Sequence, residues 1–475
     1  MELNFIEIIP TQSVFFRQVK TPVEIRSKSA SLFHVWNFNP DHLVENDSEI
    51  LEYDYEQLSI AGHLRAARQT EMSTTAPAQP GLTRGRYPLV RVRHHRSSML
   101  ELVTAGSASA QEIHLTVRPR DGEAVTAVAR RAAAELTLRQ ALAVRILGFG
   151  SLAARNATLA VLRLQLNDDV PMTWVEGASC DGHSLAGLQI QAVTGMEVHL
   201  VKADHSVAHA PCSSVARQAG TSAMARVWKN GHATHCVLSG LVPTHTNISP
   251  ARQTMQLFRV IQTGLAEAGM EMKDIARTWF YLDDILSWYG AFNRVRNDFF
   301  HQHKISAAAM PASTGVCGRN PVGAALTAAI WAVRPDDPAM ELVRTVASPG
   351  QCPAPAYGSA FSRAVEITSN GFRQLLISGT ASIAPGGKTS HVGNVEAQID
   401  RTMEVVEGIL AARHMSLADT SRATAYFKSA NEVAVFSRWL KQRGVKHLPL
   451  VNVCCDICRP DLLFELELDA LRNIS

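Results

Sequence analysis

RVWKNGHATHCVLSG at 226–240 and VEITSNGFRQLLISG at 365–379 carry one pattern twice: a strand, Asn-Gly, a second strand and a closing Ser-Gly. Asn-Gly between apolar runs is a hairpin signal, because both residues accept the positive φ that a two-residue turn needs. Each hairpin is followed by a long amphipathic segment, predicted as helix over 250–268 and about 393–413. The first has Ser249 as N-cap, Pro250 at the first helical position and Gly269 just past its end. A strand comes next, ARTWFYL (276–282) or SRATAYF (421–427), then a second helix at about 284–301 or 430–442. Two strands close each unit, the first opening near Pro311 or Pro449.

The spacing of matching residues turns this likeness into a repeat. Gln253 and Gln398, Arg277 and Arg422, and Tyr281 and Tyr426 are each 145 residues apart, while Asn230 and Asn370, and Arg319 and Arg459, are each 140 apart. Offsets held over about a hundred residues identify internal copies, and internal copies decide the fold. A third, weaker copy precedes them. Helix 123–140, strand LAVRILGF (142–149), an apolar stretch at 152–166, PMTWVEG (171–177) and LAGLQIQAV (185–193) keep the same order, and Pro171, Pro311 and Pro449 recur at intervals of 140 and 138. Its hairpin region, about 88–118, has no Asn-Gly. We therefore expect an α+β chain with an N-terminal extension of unassigned role at 1–87 and three units at 88–205, 222–338 and 359–475. Clusters of Pro, Gly and small residues at 73–86, 203–222 and 347–360 mark the joints.

Composition narrows the function classes. With 475 residues, 46% hydrophobic and 19% charged, the chain can bury real cores. Its 46 basic and 43 acidic side chains nearly balance, which gives no electrostatic reason to expect nucleic acid. The one basic run, RGRYPLVRVRHHR (84–96), reads as the solvated face of a strand. No window approaches the roughly 20 apolar residues of a membrane span. The start, MELNFIEIIPTQ, lacks a basic region followed by an apolar stretch. A cytoplasmic protein with small-molecule partners is expected. The eight cysteines, at 180, 212, 236, 317, 352, 454, 455 and 458, show no disulfide framework. Cys455 and Cys458 make a single CxxC, and strand alternation points Cys454 and Cys455 to opposite faces, so neither a metal nor a cofactor is expected.

The final strand distinguishes the copies. In LFELELDA, Glu465 and Glu467 share one strand face. Two partly desolvated carboxylates are expected to raise each other's pKa, leaving a glutamic acid protonated near neutral pH. Aligned by sequence, the first copy offers Gln189 and Gln191 there and the second only Ala, Leu and Thr (324–328), so a single chemical site is expected, centred on Glu465.

The order β-β-α-β-α-β-β, with Asn-Gly, Ser-Gly, a Gln-bearing helix and a Glu-rich closing strand, resembles the YjgF/Rid superfamily, whose members form trimers with clefts between subunits. The resemblance implies that three fused copies make one chain a pseudo-trimer, monomeric or weakly self-associating. The last two copies look most like the chorismatases, on Phe361-Ser362-Arg363-Ala364, SGTASI (378–383), His391 with Gly393 and Gln398, CDICRPDLLFELE (455–467), RTWFYLDDI (277–285) and MPASTGVCG (310–318). Chorismatases hydrolyse chorismate to pyruvate and a cyclohexadiene diol or a hydroxybenzoate. That chemistry needs an acid to protonate the methylene carbon of the enolpyruvyl group. The resemblance places the catalytic glutamate at Glu465. It also places Cys458 where 3-hydroxybenzoate-forming members have a nucleophilic cysteine and diol-forming members have a small inert residue.

Substrate binding is assigned to Arg459, Arg363, Arg344, Tyr357, Gly371 and Glu467, because the two carboxylates of chorismate call for arginines. The sequence also departs from both families. Rid deaminases carry a carboxylate-binding arginine two residues after the proline of the penultimate strand, and here those positions are Thr173, Ser313 and Val451. In place of the arginine- and tyrosine-rich linker of chorismatases, AMELVRTVASPGQCPAPAYG (339–358) offers Arg344 and Tyr357. The alternatives are an imine or enamine hydrolase or cyclase acting on another unsaturated acid, and a non-catalytic pseudo-trimer used for binding.

Overall fold

The computed structural model describes residues 90–166, 169–202, 224–369 and 371–474, together with four short strands nearer the N-terminus. Residues 1–82 form one compact unit and 83–475 another. In the first unit, β1 (Ile8–Ile9) pairs with β2 (Ser13–Val14), and β3 (Val23–Arg26) with β4 (Leu32–Val35), both antiparallel. The joints expected at 73–86 and 203–222, and the Asn370 of the second Asn-Gly pair, lie outside the described residues.

The second unit contains the three copies, and the element order repeats as the spacing predicts. The first copy runs β5 (Arg91–Ser97), β6 (Leu100–Gly106), β7 (Gln111–Val117), α1 (Val125–Leu138), β8 (Leu142–Gly150), α2 (Leu152–Leu166), β9 (Met172–Val175), β10 (Ala178–Ser179) and β11 (Leu185–Thr194). The second begins with β12 (Val198–Lys202) and continues through β13 (Met224–Asn230), β14 (Ala233–Leu241), α3 (Pro250–Glu267), β15 (Ile275–Leu282), α4 (Ile285–Gln302), β16 (Ala312–Cys317) and β17 (Leu326–Pro335). The third comprises β18 (Val343–Val346), β19 (Ala364–Ser369), β20 (Phe372–Ala381), α5 (Val395–Ala411), β21 (Thr420–Phe427), α6 (Val433–Gln442), β22 (Leu450–Cys454) and β23 (Phe464–Asn473).

Each copy lays its strands in one order: β6-β7-β11-β8-β9, β13-β14-β17-β15-β16 and β19-β20-β23-β21-β22. The pairs β8/β9, β15/β16 and β21/β22 are parallel, joined by a crossover helix, and the remaining neighbours are antiparallel. Each sheet gains an edge strand from outside this five-strand set: β5, β12 and β18 respectively. The third sheet also takes β10 from the first copy, so the copies are stitched together by backbone pairing. The described part of the basic run expected on a solvated strand, 91–96, lies on β5, whose Arg91 and Arg93 are exposed on a sheet edge, and 84–89 lie outside the described residues.

The glutamines that flagged the repeat have a structural task. Gln253 on α3 donates to the carbonyls of Thr246 and Ile248 and accepts from the Ala325 amide, and Gln398 on α5 does the same with His391, Asp461 and Leu463. Each one ties the loop entering its helix to the loop entering the last strand, satisfying buried backbone groups that water cannot reach. Asn394 caps α5 through the Ala397 amide, whereas Ser249 makes no side-chain cap on α3.

The amphipathic helices cover one face of each sheet, giving three separate cores built around Leu136 and Ile146, Phe280 and Ile330, and Phe427 and Leu466. The opposite faces meet. Phe149, Trp228, Trp279, Trp331, Tyr281, Tyr426 and Val451, drawn from all three copies, form one central core. The chain is thus an intramolecular pseudo-trimer.

Candidate active site

On the central faces, strand register aligns the copies residue by residue. Glu465 pairs with Tyr426, Thr327 with Tyr281, and Gly187 with Phe149. By that register the counterparts of Glu465 are Thr327 and Gly187, those of Glu467 are Ala329 and Gln189, and those of Asp469 are Trp331 and Gln191. This corrects the sequence alignment, which set Gln189 and Gln191 against Glu465 and Glu467. The spacing of the shared prolines agrees with the register, since Pro171 and Pro449 are 278 residues apart and so are Gly187 and Glu465. The asymmetry itself stands: β23 alone among the three closing strands carries carboxylates on this face.

Glu467 is fully buried and doubly paired. One carboxylate oxygen accepts from Arg277 and Thr314 at 2.7 and 2.5 Å, and the other accepts from Arg422 at 2.6 Å and the Tyr426 hydroxyl at 3.3 Å. Arg422 also donates to Asp469 at 2.8 Å. Arg277, Arg422 and their first-copy counterpart Arg145 converge on the ring of Trp279, with guanidinium carbons 4.8, 5.5 and 4.0 Å from its centroid. The arginines hold the Glu467 carboxyl down to about 2 against the opposing effect of burial. Glu467 is therefore a permanent anion locked in an ion-pair layer, which replaces its expected role in substrate binding.

Glu465 behaves oppositely. Burial, reinforced by the negative Glu467 two residues away on the same face, pushes its carboxyl up to about 8. Each carboxylate was expected to raise the other, but only Glu465 is raised, because the arginines sit on Glu467. The carboxyl packs over the Cα of Gly379, where β20 bulges between Ile377 and Thr380. A Cβ at Gly379 would lie 2.1 Å from Oε1 of Glu465. The Gly379 amide donates to Thr314 Oγ1 of the second copy at 3.1 Å, fixing the sheet of one copy against the penultimate strand of the other.

The surroundings of Glu465 come from two copies. Cys458, in the loop between β22 and β23, and Tyr289, on α4 of the second copy, lie close enough to feel its charge. Burial and Glu465 push the Cys458 thiol up to about 12, so it rests as a neutral thiol. Next to them, aromatic rings space three arginines. Arg296 and Arg363 stand over Phe361 at 5.7 and 5.5 Å, and Arg363 and Arg459 stand over Tyr357 at 5.4 and 5.9 Å. All three take neutral partners: the Asn293 side chain for Arg296, the Cys352 carbonyl for Arg363, and the Gly387 carbonyl for Arg459. Nε of Arg296 has no partner although the residue is only 2% exposed. The result is a cationic, ring-lined wall beside a carboxyl that burial pushes up.

Of the residues assigned from sequence, Glu465, Cys458, Arg363, Arg459 and Tyr357 are brought together. Arg344 and Gly371 are not. Arg344, on β18, pairs with Glu366 at 2.6 Å on the helix side of the third sheet, where Arg413 and Arg373 join it, and it lines a separate cavity of about 580 Å³ with Lys273 and Asp336. Gly371 turns the β19–β20 hairpin with φ +88° and packs against Val90. It lies eight residues, roughly 25 Å of strand, from Gly379. Sequence reading missed Tyr289 and Arg296 on α4, seven residues apart and so on one helix face, an aromatic and an arginine inside a run that reads as ordinary core packing. It also missed Phe361 as the ring between two guanidiniums.

Residues 229–318, most of the second copy, match the family described as Endoribonuclease L-PSP. Among curated proteins none matches the sequence. Among solved structures, a chorismatase crystal structure is 20% identical over 69% of this chain and 92% of its own, with a TM-score of 0.48. Yeast Mmf1 is 19% identical over 27% of this chain and 98% of its own, TM-score 0.23. The YjgF gene product of E. coli is 21% identical over 27% and 98%, TM-score 0.22. The family match falls on the middle copy, and the same strand order is laid down on either side of it, so the chain carries three tandem units of one fold, the middle one matching that family.

Proposed function

We propose that the cleft between the second and third copies hydrolyses an enolpyruvyl ether bearing carboxylates, chorismate or a close relative, with Glu465 as general acid. The observation that carries this reading is the contrast between two carboxyls on one strand face, Glu465 pushed up to about 8 and Glu467 held down to about 2. A vinyl ether reacts by protonation on its terminal carbon. A carboxylic acid that keeps its proton at neutral pH, beside a fixed anion able to stabilise an adjacent cation, suits that step.

In this reading Glu465 delivers its proton to the methylene carbon, forming an oxocarbenium ion. Water adds to that centre, and the resulting hemiketal collapses to pyruvate and the ring alcohol. Arg296, Arg363 and Arg459 hold the substrate carboxylates, and Phe361 and Tyr357 flank the ring. Once Glu465 has given up its proton it is a carboxylate next to the Cys458 thiol; it can take the thiol proton and pass it to a ring hydroxyl that leaves as water as the C–S bond forms, and elimination of the thiol with an adjacent ring hydrogen then gives a hydroxybenzoate and restores Cys458. The resemblance of 361–364, 378–383 and 455–467 to chorismatases supports the same assignment.

Incubation with chorismate should release pyruvate, and Glu465→Gln should lower the rate by about 10²–10⁴-fold. No pyruvate above background would overturn the reading. Imine hydrolysis that survives in Glu465→Gln would favour a Rid-like hydrolase instead. Cys458→Ala should keep pyruvate release and shift the ring product to the diol.

A further inference from the structure

At the seam between the third and first copies, β10 runs antiparallel to β22, with Ala178 opposite Cys454 and Ser179 opposite Val453. Just past that pairing the sulfurs of Cys180 and Cys454 lie 2.8 Å apart, although the residues are 274 positions apart in the chain. Two thiols in ordinary contact sit farther apart than this. Covalent bonding at about 2.05 Å asks for less than 1 Å of further approach. Both residues are partly exposed, so a small oxidant can reach them. Two other cysteines of the third copy are placed differently: Cys455 packs against the central core and Cys458 lies beside Glu465.

We propose that Cys180 and Cys454 form a reversible disulfide that clamps the first copy onto the third. The oxidant is a low-molecular-weight disulfide such as oxidised glutathione. Burial pushes the Cys454 thiol up and the Cys180 S–H opposes this in part; the minor thiolate form of Cys454 attacks one glutathione sulfur and expels a glutathione thiolate. The Cys180 thiolate then attacks Cys454 of the mixed disulfide and expels the second glutathione. Two protein thiols are oxidised, one glutathione disulfide is reduced, and the two protons end on two glutathione molecules. The bond bears on the candidate active site, which it does not touch, because Cys454 is the last residue of β22 and the loop that follows carries Cys458 and Arg459. That loop is already pinned by the Cys317 amide on the Asp456 carbonyl and by Thr389 on Asp461. The disulfide adds an anchor at its entrance.

The test equilibrates the full chain in glutathione buffers from reducing to oxidising, alkylates the free thiols and maps the peptides without reduction. A cross-linked peptide pair joining Cys180 and Cys454 is expected, absent from Cys180→Ser and Cys454→Ser and present in Cys455→Ser and Cys458→Ser. The oxidised chain should melt roughly 5 °C or more above the reduced one, since the bond closes a very long loop in the unfolded chain. Cys180→Ser should match the reduced wild type and show no gain on oxidation. Full alkylation of both thiols in oxidising buffer, or either of them joined to a different cysteine, would overturn the proposal. A 180–454 bond with no melting shift would overturn the clamp.

Discussion

Glu465 and Glu467 differ by two positions and by the whole of their chemistry, and the difference lies in the partners that reach them. Arg277 from the second copy and Arg422 from the third close on Glu467, while Glu465 meets Gly379, Cys458 and Tyr289. Two pH effects of opposite sign follow. Glu467 is depressed, so the stability it contributes is fully present above the ordinary carboxylate value near 4.5 and is lost as pH falls from there towards 2. Glu465 is raised, so it costs stability as pH rises from 4.5 to about 8, at most about 1.4 kcal/mol per pH unit. Urea unfolding of Glu465→Gln should therefore show a gain over wild type that is larger at pH 9 than at pH 5, whereas a constant difference would mean that Glu465 ionises normally. Turnover should hold level below about pH 8 and fall above it, since the protonated form is the acid. Glu467→Gln should cost about 3–5 kcal/mol at neutral pH, because it leaves two buried guanidiniums underpaired.

At the scale of elements, the bulge in β20 is what brings a backbone against the carboxyl. Gly379 has no room for a Cβ, so Gly379→Ala must push Glu465 aside. The expected result is a loss of pyruvate release of at least tenfold with the fold retained in circular dichroism, and unchanged turnover would contradict the placement. Most elements were legible in the sequence: Asn230-Gly231, the Pro250 start of α3 and the period of α5 predict their structures to within a few residues. What was not legible is register. Strand alternation fixes the face but not the position along it, so Gln189 read as the counterpart of Glu465 when Gly187, two residues earlier on the same face, occupies that place. Arg344 failed for a related reason. An arginine in a linker looks free until the linker becomes an edge strand, β18, and sets it opposite Glu366.

For the whole molecule, the three copies share one interior. The inner-face aromatics and the arginine layer around Trp279 draw on every copy, so no copy completes its core alone. A fragment holding only the third copy, residues 339–475, exposes that face and leaves Glu467 without Arg277. Light scattering should give it a mass above that of a single copy, and a stable monomer would contradict the shared interior. The pseudo-trimer was legible from the repeat. That the candidate site draws on the second copy as well as the third was not, because Tyr289 and Arg296 carry no signature that separates them from the core face of α4.

The central claim is that Glu465 holds its proton at neutral pH, and carbon-13 NMR of the glutamate side-chain carboxyls tests it directly. A resonance titrating near pH 8 is predicted, absent from Glu465→Gln and distinguished through Glu112→Gln from the buried Glu112, itself pushed up to about 7. If every high-titrating carboxyl persists in Glu465→Gln, Glu465 is an ordinary carboxylate and the account fails.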